Sequence, residues 1–523
     1  MKRPIHTLFL YLIPLLVFVP IYILRDYTPN NELRYVSIVD EALNNSSVLV
    51  FYNHGEPYAD KPPLYLWIMM IGRLIAGDHL LIFMGMVNLI IVFLIMWIMN
   101  HWCFREQNAT TILPPMLTLL TTGLFTGAFL VMRMDILMTL FIILALYTFY
   151  KLYEGKGSRD DEWLLPLYLF LAVFTKGALG LLIPVVAIAL FLIIRKEGRL
   201  LGYYLGLRTW GVLLALCAIW FAGVYAEGGK NYLSNLLFHQ TIDRAIDSFH
   251  HKEPFYFYLM RFWLLAAPWS LLGIAVLFEG FRKKVIGKYP LLQFFVVVML
   301  STFVLLSFIS SKIDIYLLPV YPFFIYFTFV VLQDLKADLL IRLSVMIPII
   351  LLCAAIPILL YVARLFPAQI YSYSLLLVGG IVLTAGGVWA FLLLRKGRII
   401  SSIGICTAVL LAFIFINSFQ IPAFNNYLGM RGIANEAKKL GIEHQTSRYA
   451  SLGIGRAENM EVYLGVPVHK IDSLLLPPHP AALPTPYILL SRIKEIERNK
   501  ILQKELQNKE RRIAGKYVVY VID

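Results

Sequence analysis

The sequence predicts an α-helical polytopic membrane protein with a small C-terminal α/β domain outside the membrane. Three observations carry this. Of 523 residues, 59% are hydrophobic and only 15% are charged, with mean hydropathy +0.73, whereas soluble chains hold at about half apolar. The apolar residues fall in blocks of about 20, the length that crosses about 30 Å of hydrocarbon. Beyond residue 426 the blocks stop and charged residues return.

Spans are predicted at 7–24, 79–100, 112–129, 134–150, 163–176, 179–194, 210–226, 257–280, 291–310, 314–333, 342–363, 373–394 and 400–420, about 13 in all. The pair at 163–176 and 179–194 is short and implies tilt or local thinning. Met1-Lys2-Arg3 precedes the first block with no small-residue cleavage site, so an uncleaved first helix is expected. Lys and Arg gather in alternate connections: Lys151, Lys156 and Arg159; Arg195, Lys196, Arg199 and Arg208; Arg282, Lys283, Lys284 and Lys288; Arg395, Lys396 and Arg398. That asymmetry places the N-terminus inside and puts residues 25–78, 227–256 and the tail after about 421 outside. The net charge of +14 is explained by these flanks and excludes a nucleic-acid reading. Cys103, Cys217, Cys353 and Cys406 lie in or beside apolar blocks without a CxxC pair, which excludes a disulfide framework and a thiolate metal site.

The expected division is a membrane domain over 1–426, with first outer loop 25–78, and an outer α/β domain over 427–523. In the latter, Gly432–Leu440 reads as helix, Tyr449–Leu452 and Val462–Val466 as short apolar runs, 490–512 as charged and helix-prone, and 517–522 as a buried strand.

Ionisable residues collect on one predicted side. The first outer loop holds Asn31-Glu32-Leu33-Arg34-Tyr35 and Asp60-Lys61-Pro62-Pro63, in which the two prolines are expected to keep the chain extended. Arg34 binds phosphate with a bidentate fork and Lys61 as a point charge, while Glu32 is placed to take a proton or a metal. Arg133 and Asp135 open the fourth span, Lys176-Gly177 forms a turn, His251 precedes the eighth span, and Lys312 and Tyr316 open the tenth. A single such group at a membrane rim is usually a snorkelling side chain. A one-sided set carrying both signs fits a cavity in which the charges face each other.

In their order these motifs resemble the GT-C class of polyprenyl-phosphate-sugar-dependent glycosyltransferases, in particular the bacterial aminoarabinose transferases acting on lipid A, with the protein O-mannosyltransferases as wider relatives. The family carries an acid-Glu-x-Arg-Tyr motif similar to residues 31–35 and an acid-Lys-Pro-Pro motif similar to 60–63. It also has an aspartate like Asp135, a Lys-Gly turn like Lys176-Gly177, a His-Lys-x-Pro-Phe run like 251–255 and a Ser-Lys-x-x-x-Tyr-Leu-Leu-Pro run like 311–319. The likeness covers roughly residues 1–330. It implies inverting sugar transfer on the periplasmic face of a bacterial inner membrane, from a polyprenyl-phosphate donor to a lipid, glycan or protein acceptor. No cofactor is required by the sequence, and a divalent metal is compatible with it.

The resemblance assigns Glu32, Asp60, Asp135 and Asn31 to catalysis, and Arg34, Lys61, Lys312, Tyr316, His251 and Tyr35 to the substrate phosphate. Asn31 departs from the pattern, because the family has its favoured carboxylate there and an amide has no titratable lone pair near neutral pH. Either Glu32, Asp60 or Asp135 serves as base, or Asn31 orients the acceptor, or the chain is an inactive relative. The rival class is a lipid or glycan flippase, which would set its charges near the bilayer midplane on broken helices with internal repeats. The topology predicts that a cysteine at position 46, replacing Ser46, reacts in intact cells with a membrane-impermeant maleimide; protection there would invert the orientation.

Overall fold

The computed structural model describes residues 4–104, 109–237, 253–335, 338–365, 372–471 and 483–523. Among them, six helices are long and apolar enough to cross a bilayer: Leu64–Cys103, Asp135–Tyr153, Gly198–Leu237, Pro290–Phe308, Tyr373–Arg395 and Ile399–Ser418. Counting each bent helix pair as one span raises this to nine, and Phe9–Leu24, Ala178–Ile194 and Val320–Asp334 are shorter apolar helices. Each predicted span falls on one of these, on a bent pair, or on the helix Asp161–Lys176. Leu214, Ile219, Leu264 and Phe308 are each more than 60% exposed. Apolar exposure on that scale along these helices suits hydrocarbon and not water. The chain is a multi-pass membrane protein.

Three expected spans are broken rather than straight. The eighth divides into Phe257–Leu265 and Ser270–Arg282 at 113°, with Pro268, which has no N–H to donate, inside the break. The third and eleventh bend by 70° and 58°. The tenth begins later than expected: Asp314–Leu317 is a 3-10 turn, and the helix proper starts at Val320, directly after Pro319.

The first outer loop is folded. The helices Glu32–Asn44 and Leu64–Ala76 flank a two-stranded hairpin pairing Tyr52 with Pro57 and Asn53 with Glu56. His54 and Gly55 turn it with φ of 56° and 80°, the doubly left-handed pair that matches strand twist. Pro62-Pro63 does not hold the chain extended as expected. Pro63 takes φ −79°, ψ −19° and leads into the second helix, because a proline ring is pre-set for the first helical turn. That helix leaves Ile71, Leu74 and Ile75 exposed, as an amphipathic helix at a membrane surface would.

The C-terminal part forms a five-stranded sheet in the order 468–470, 449–452, 487–492, 517–522, 511–514. The first three strands run parallel and the last two are antiparallel to their neighbours. Helix Arg431–Glu443 packs on this sheet. The run Val462–Val466 is not a strand: it belongs mainly to the short helix Glu461–Leu464, closed by Gly465 at φ 76°.

Asp26 ties this part to the first outer loop. Its carboxylate accepts from the backbone N–H of Tyr27 (2.7 Å), Met430 (3.1 Å) and Arg431 (2.8 Å) and from the Tyr463 hydroxyl (2.5 Å). Its own N–H donates to Asn425 Oδ1 (3.0 Å), whose amide nitrogen reaches Leu24 O (2.8 Å). A Cβ at Gly429 would come within 2.1 Å of Asp26 Oδ2, so only glycine lets the chain pass that close. Asp26→Ala should strand several buried donors, at about 1–3 kcal/mol each. The expected result is a lower melting temperature in detergent and faster proteolysis after residue 420; an unchanged cleavage pattern would remove Asp26 as the anchor.

Candidate active site

The site is assembled around a buried carboxylate with both oxygens fully bonded. Glu32 opens the helix Glu32–Asn44 and is fully buried. Its two oxygens meet Arg25 Nη2 at 2.6 Å and Nη1 at 2.7 Å, a fork-to-fork pair. They also accept the backbone N–H of Thr28 (2.7 Å) and of Met132 (2.5 Å). An ionised carboxylate offers about four acceptor positions, and four donors occupy these. Glu32 thereby joins loop 25–35 to the segment before Asp135.

That segment is fixed from below as well. Tyr22 donates its hydroxyl to Phe129 O (2.5 Å), and Asn88 Nδ2 reaches Phe129 O (2.8 Å) and Val131 O (3.0 Å). Asp135 then emerges at the start of helix Asp135–Tyr153, buried, with Lys176 on one oxygen and Arg133 Nε at 3.2 Å from the other. Lys176 ends its own helix, where Gly177 turns the chain at φ 82°, and its ammonium lies 4.7 Å from the centre of the Tyr316 ring. Both Asp135 oxygens carry a cation.

Above this pair stand Arg34 and Tyr35. The Arg34 guanidinium lies 5.7 Å from the Tyr35 ring centre and 5.3 Å from that of Tyr58. Its Nε is buried and has no hydrogen-bond partner in the protein. Burial pushes the Tyr35 hydroxyl pKa up; the nearby Arg34 and Arg133 pull it back and Asp135 adds to the rise. Those influences place Tyr35 within reach of the Arg133–Asp135–Lys176 group. Burial likewise drives the Tyr58 hydroxyl well above its ordinary range, and Asp60 is among the groups that add to the rise.

Of the sequence candidates, the structure brings together Arg34, Tyr35, Asp135 and Tyr316, joined by Arg133 and Lys176. Asp60 and Lys61 lie half-buried beyond Tyr58. Asn31 stands at the N-cap of helix Glu32–Asn44, and its side chain makes no capping bond. Lys312 is buried and donates to the carbonyls of Glu253 (2.9 Å) and Ile309 (2.8 Å), which uses two of its three N–H bonds. His251 lies outside the described residues. Among the described residues, no group of three His, Cys, Asp or Glu side chains is placed to hold a metal. Arg25 escapes a reading of the sequence, since a lone arginine at a span end looks like an ordinary flank.

No family model matches the sequence. The chain is 27% identical over 320 residues to an uncharacterized protein of Aquifex aeolicus, covering 59% of this chain and 61% of that one. It is 27% identical over 303 residues to the undecaprenyl phosphate-alpha-4-amino-4-deoxy-L-arabinose arabinosyl transferase of Edwardsiella ictaluri, covering 55% of this chain and 52% of the relative. The matches thus span little more than half the length of these curated relatives. The structure of ArnT from Cupriavidus metallidurans bound to undecaprenyl phosphate superposes with TM-score 0.78 at 15% identity, over 99% of this chain and 98% of that one. The fold is the GT-C membrane fold of ArnT.

Glu32→Gln tests the reading of Glu32 as an anchor. Arg25 would be left buried opposite a neutral amide, at about 3–5 kcal/mol. A large fall in detergent melting temperature is expected, and an undiminished melting temperature would return Glu32 to the list of bases.

Proposed function

We propose that the chain is a membrane glycosyltransferase that moves a sugar from a polyprenyl-phosphate donor to a hydroxyl acceptor at the outer membrane face. The observation that carries this is a surplus of positive charge in a largely buried place. Arg133 and Lys176 both pair with Asp135, the Arg34 guanidinium lies over the Tyr35 and Tyr58 rings, and Arg34 Nε has no hydrogen-bond partner in the protein. Unpaired cationic charge near hydrocarbon is costly, and a phosphate supplies the missing anion. The likeness to transferases named for an undecaprenyl phosphate sugar points the same way.

A second feature accounts for the donor's lipid. An apolar groove of about 560 Å³ runs between helices Ala178–Ile194 and Pro290–Phe308, lined by Val186, Leu190, Val297, Leu300 and Val304 and reaching Phe308. The second helix has 19 residues, about 28 Å at 1.5 Å per residue and so about the thickness of the hydrocarbon. Its outer end leads directly into Ile309–Tyr316, and the first helix begins two residues after Lys176. An isoprenoid tail in this groove would bring its phosphate up to the cations.

In the proposed reaction the acceptor oxygen attacks the anomeric carbon, the bond to the donor phosphate breaks with inversion, and the phosphate leaves as an anion. Arg34, with the spare N–H of Lys312 and the Tyr316 hydroxyl, would stabilise the charge that collects on the leaving oxygen. Lys61 would add its point charge from the hairpin side. A carboxylate takes the acceptor proton. Asp60, near Tyr58 in the first outer loop, would fill that role, and Asn31 would orient the acceptor from the helix start. The site would face the periplasm of a bacterial inner membrane, in keeping with the Lys/Arg asymmetry of the sequence. The acceptor belongs to the lipid, glycan or protein hydroxyls.

The test is transfer by purified protein from a panel of radiolabelled polyprenyl-phosphate sugars. Arg34→Ala and Lys61→Ala should each lower kcat/KM at least about tenfold with unchanged melting temperature, since one charge-assisted bond to phosphate contributes about 1.5–3 kcal/mol. Asp60→Asn should lower kcat far more than KM rises, and Asn31→Asp should not raise activity. Full activity in Asp60→Asn would withdraw the base assignment, and turnover with none of the donors would withdraw the reaction.

A further inference from the structure

Helix Asp135–Tyr153 begins at the cationic rim, and its last turn borders a smaller cavity of about 210 Å³. About 24 Å of helix, at 1.5 Å per residue, separates Asp135 from Lys151, so this cavity lies at the opposite membrane face. One wall is the end of helix Leu64–Cys103, with His101 and Trp102, and the other is Tyr147, Tyr150 and Lys151. The chain then turns at Gly155, with φ 70°, and the Lys156 N–H returns to Lys151 O at 3.0 Å. That turn brings Glu154 and Lys156 into the lining.

The lining carries both signs of charge beside aromatic rings. Lys151 Nζ meets Asp161 at 2.8 Å, and Lys156 Nζ meets Glu154 Oε2 at 2.8 Å. An ammonium has three N–H bonds and a carboxylate about four acceptor positions, so both lysines and Glu154 retain capacity beyond these pairs. The Trp102 ring centre lies 5.3 Å from that of Tyr147 and 5.7 Å from that of Tyr150. The Trp102 indole N–H is buried and has no hydrogen-bond partner among the described residues, a donor that a bound acceptor would satisfy.

Such a lining suits a small ligand with a charge of each sign. A phosphodiester would take the lysines and the indole N–H, and an ammonium would take Glu154 and the ring surfaces. The volume is below the roughly 300–1,000 Å³ of sites that enclose a whole ligand, so only one end of a larger molecule enters. A lipid-facing surface leads there. Met86, Ile90 and Trp97 are 42%, 57% and 50% exposed and share one helical face with His101. The Trp97 ring lies 6.0 Å from that of His101 and nearly parallel to it, at 18°. An acyl chain along this face, about 22 Å from Met86 to His101, would end with its headgroup at the cavity. We propose that the cavity holds the headgroup of a phospholipid bearing a primary amine, of the phosphoethanolamine kind, in the leaflet opposite the rim. The amine is primary because Glu154 accepts N–H bonds, which a trimethylated ammonium cannot give. No rim residue takes part, so this site stands or falls apart from the transfer reaction.

The experiment is native mass spectrometry of the delipidated full-length protein, titrated in turn with phosphatidylethanolamine, phosphatidylcholine and phosphatidylglycerol of matched acyl chains. One saturable phosphatidylethanolamine is expected, held about fivefold more tightly than either other lipid, the difference between a charge-assisted and a neutral hydrogen bond. Glu154→Gln should erase the preference over phosphatidylcholine. Lys156→Gln should weaken phosphatidylethanolamine and phosphatidylcholine alike, about three- to tenfold, through the phosphate. Both changes lie in an exposed turn and should leave the melting temperature of the lipid-free protein unchanged. Equal retention of the three lipids, a preference for phosphatidylglycerol, or affinities that ignore both variants would each overturn the site.

Discussion

A buried carboxylate near hydrocarbon must have every lone pair occupied, and Glu32 meets that constraint with one guanidinium fork and two backbone amides. The rest of the outer face depends on it. Arg25 and Thr28 lie before the helix and Met132 lies far along the chain, so satisfying Glu32 brings the end of the first membrane segment, the first outer loop and the start of helix Asp135–Tyr153 to one point. Arg34 and Tyr35, one helical turn or less from Glu32, are thereby delivered to Arg133 and Asp135. The charge that looks most chemical in the sequence is in the structure the one that sets the geometry of the others.

The same logic recurs at lower stakes around the loop. Asp26 gathers the amides of residues 430 and 431 and the hydroxyl of Tyr463. Glu227 accepts the consecutive N–H groups of Val48, Leu49 and Val50 at 2.9–3.1 Å. Tyr232 accepts from Phe51 N–H (3.1 Å) and donates to Tyr58 O (2.9 Å). A segment between two membrane helices would ordinarily be mobile. Here remote carboxylates and hydroxyls satisfy its backbone donors, so the Asp60–Lys61 corner is held by the chain on both sides.

How much of this is legible in the sequence depends on whether the signal is local. The membrane helices are set by hydropathy and length, so their positions can be read closely. Their breaks cannot, since Pro268 lies in an unbroken apolar block where hydropathy carries no directional information. Pro62-Pro63 misleads because the same φ serves an extended chain and the first turn of a helix, and the choice rests with the apolar residues from Leu64 onward, which gain by packing as a helix. Val462–Val466 is too short an apolar run to separate strand from helix. At the site, Asp135, Lys176 and Tyr316 are visible as polar residues at span ends. That Lys176 lies between the other two depends on the packing of three helices, and that Glu32 is consumed by Arg25 depends on a contact no spacing reveals.

Asn31 is better understood from this division of labour. If Glu32 and Asp135 each hold cations and backbone in place, a further charge at position 31 would stand next to Glu32 in poorly solvated surroundings. Two adjacent carboxylates there would raise the pKa of one of them and weaken the pair with Arg25 that organises the loop. An amide at the helix start avoids that conflict. It keeps hydrogen-bonding capacity at the helix start while leaving the favourable N-terminal end of the helix to Glu32. In the proposed reaction, proton acceptance belongs on a different element. Asp60, the carboxylate proposed for that role, lies between the hairpin and helix Leu64–Ala76 rather than in the Glu32 helix. Under that proposal, the group that builds the site and the group that works in it are on separate elements.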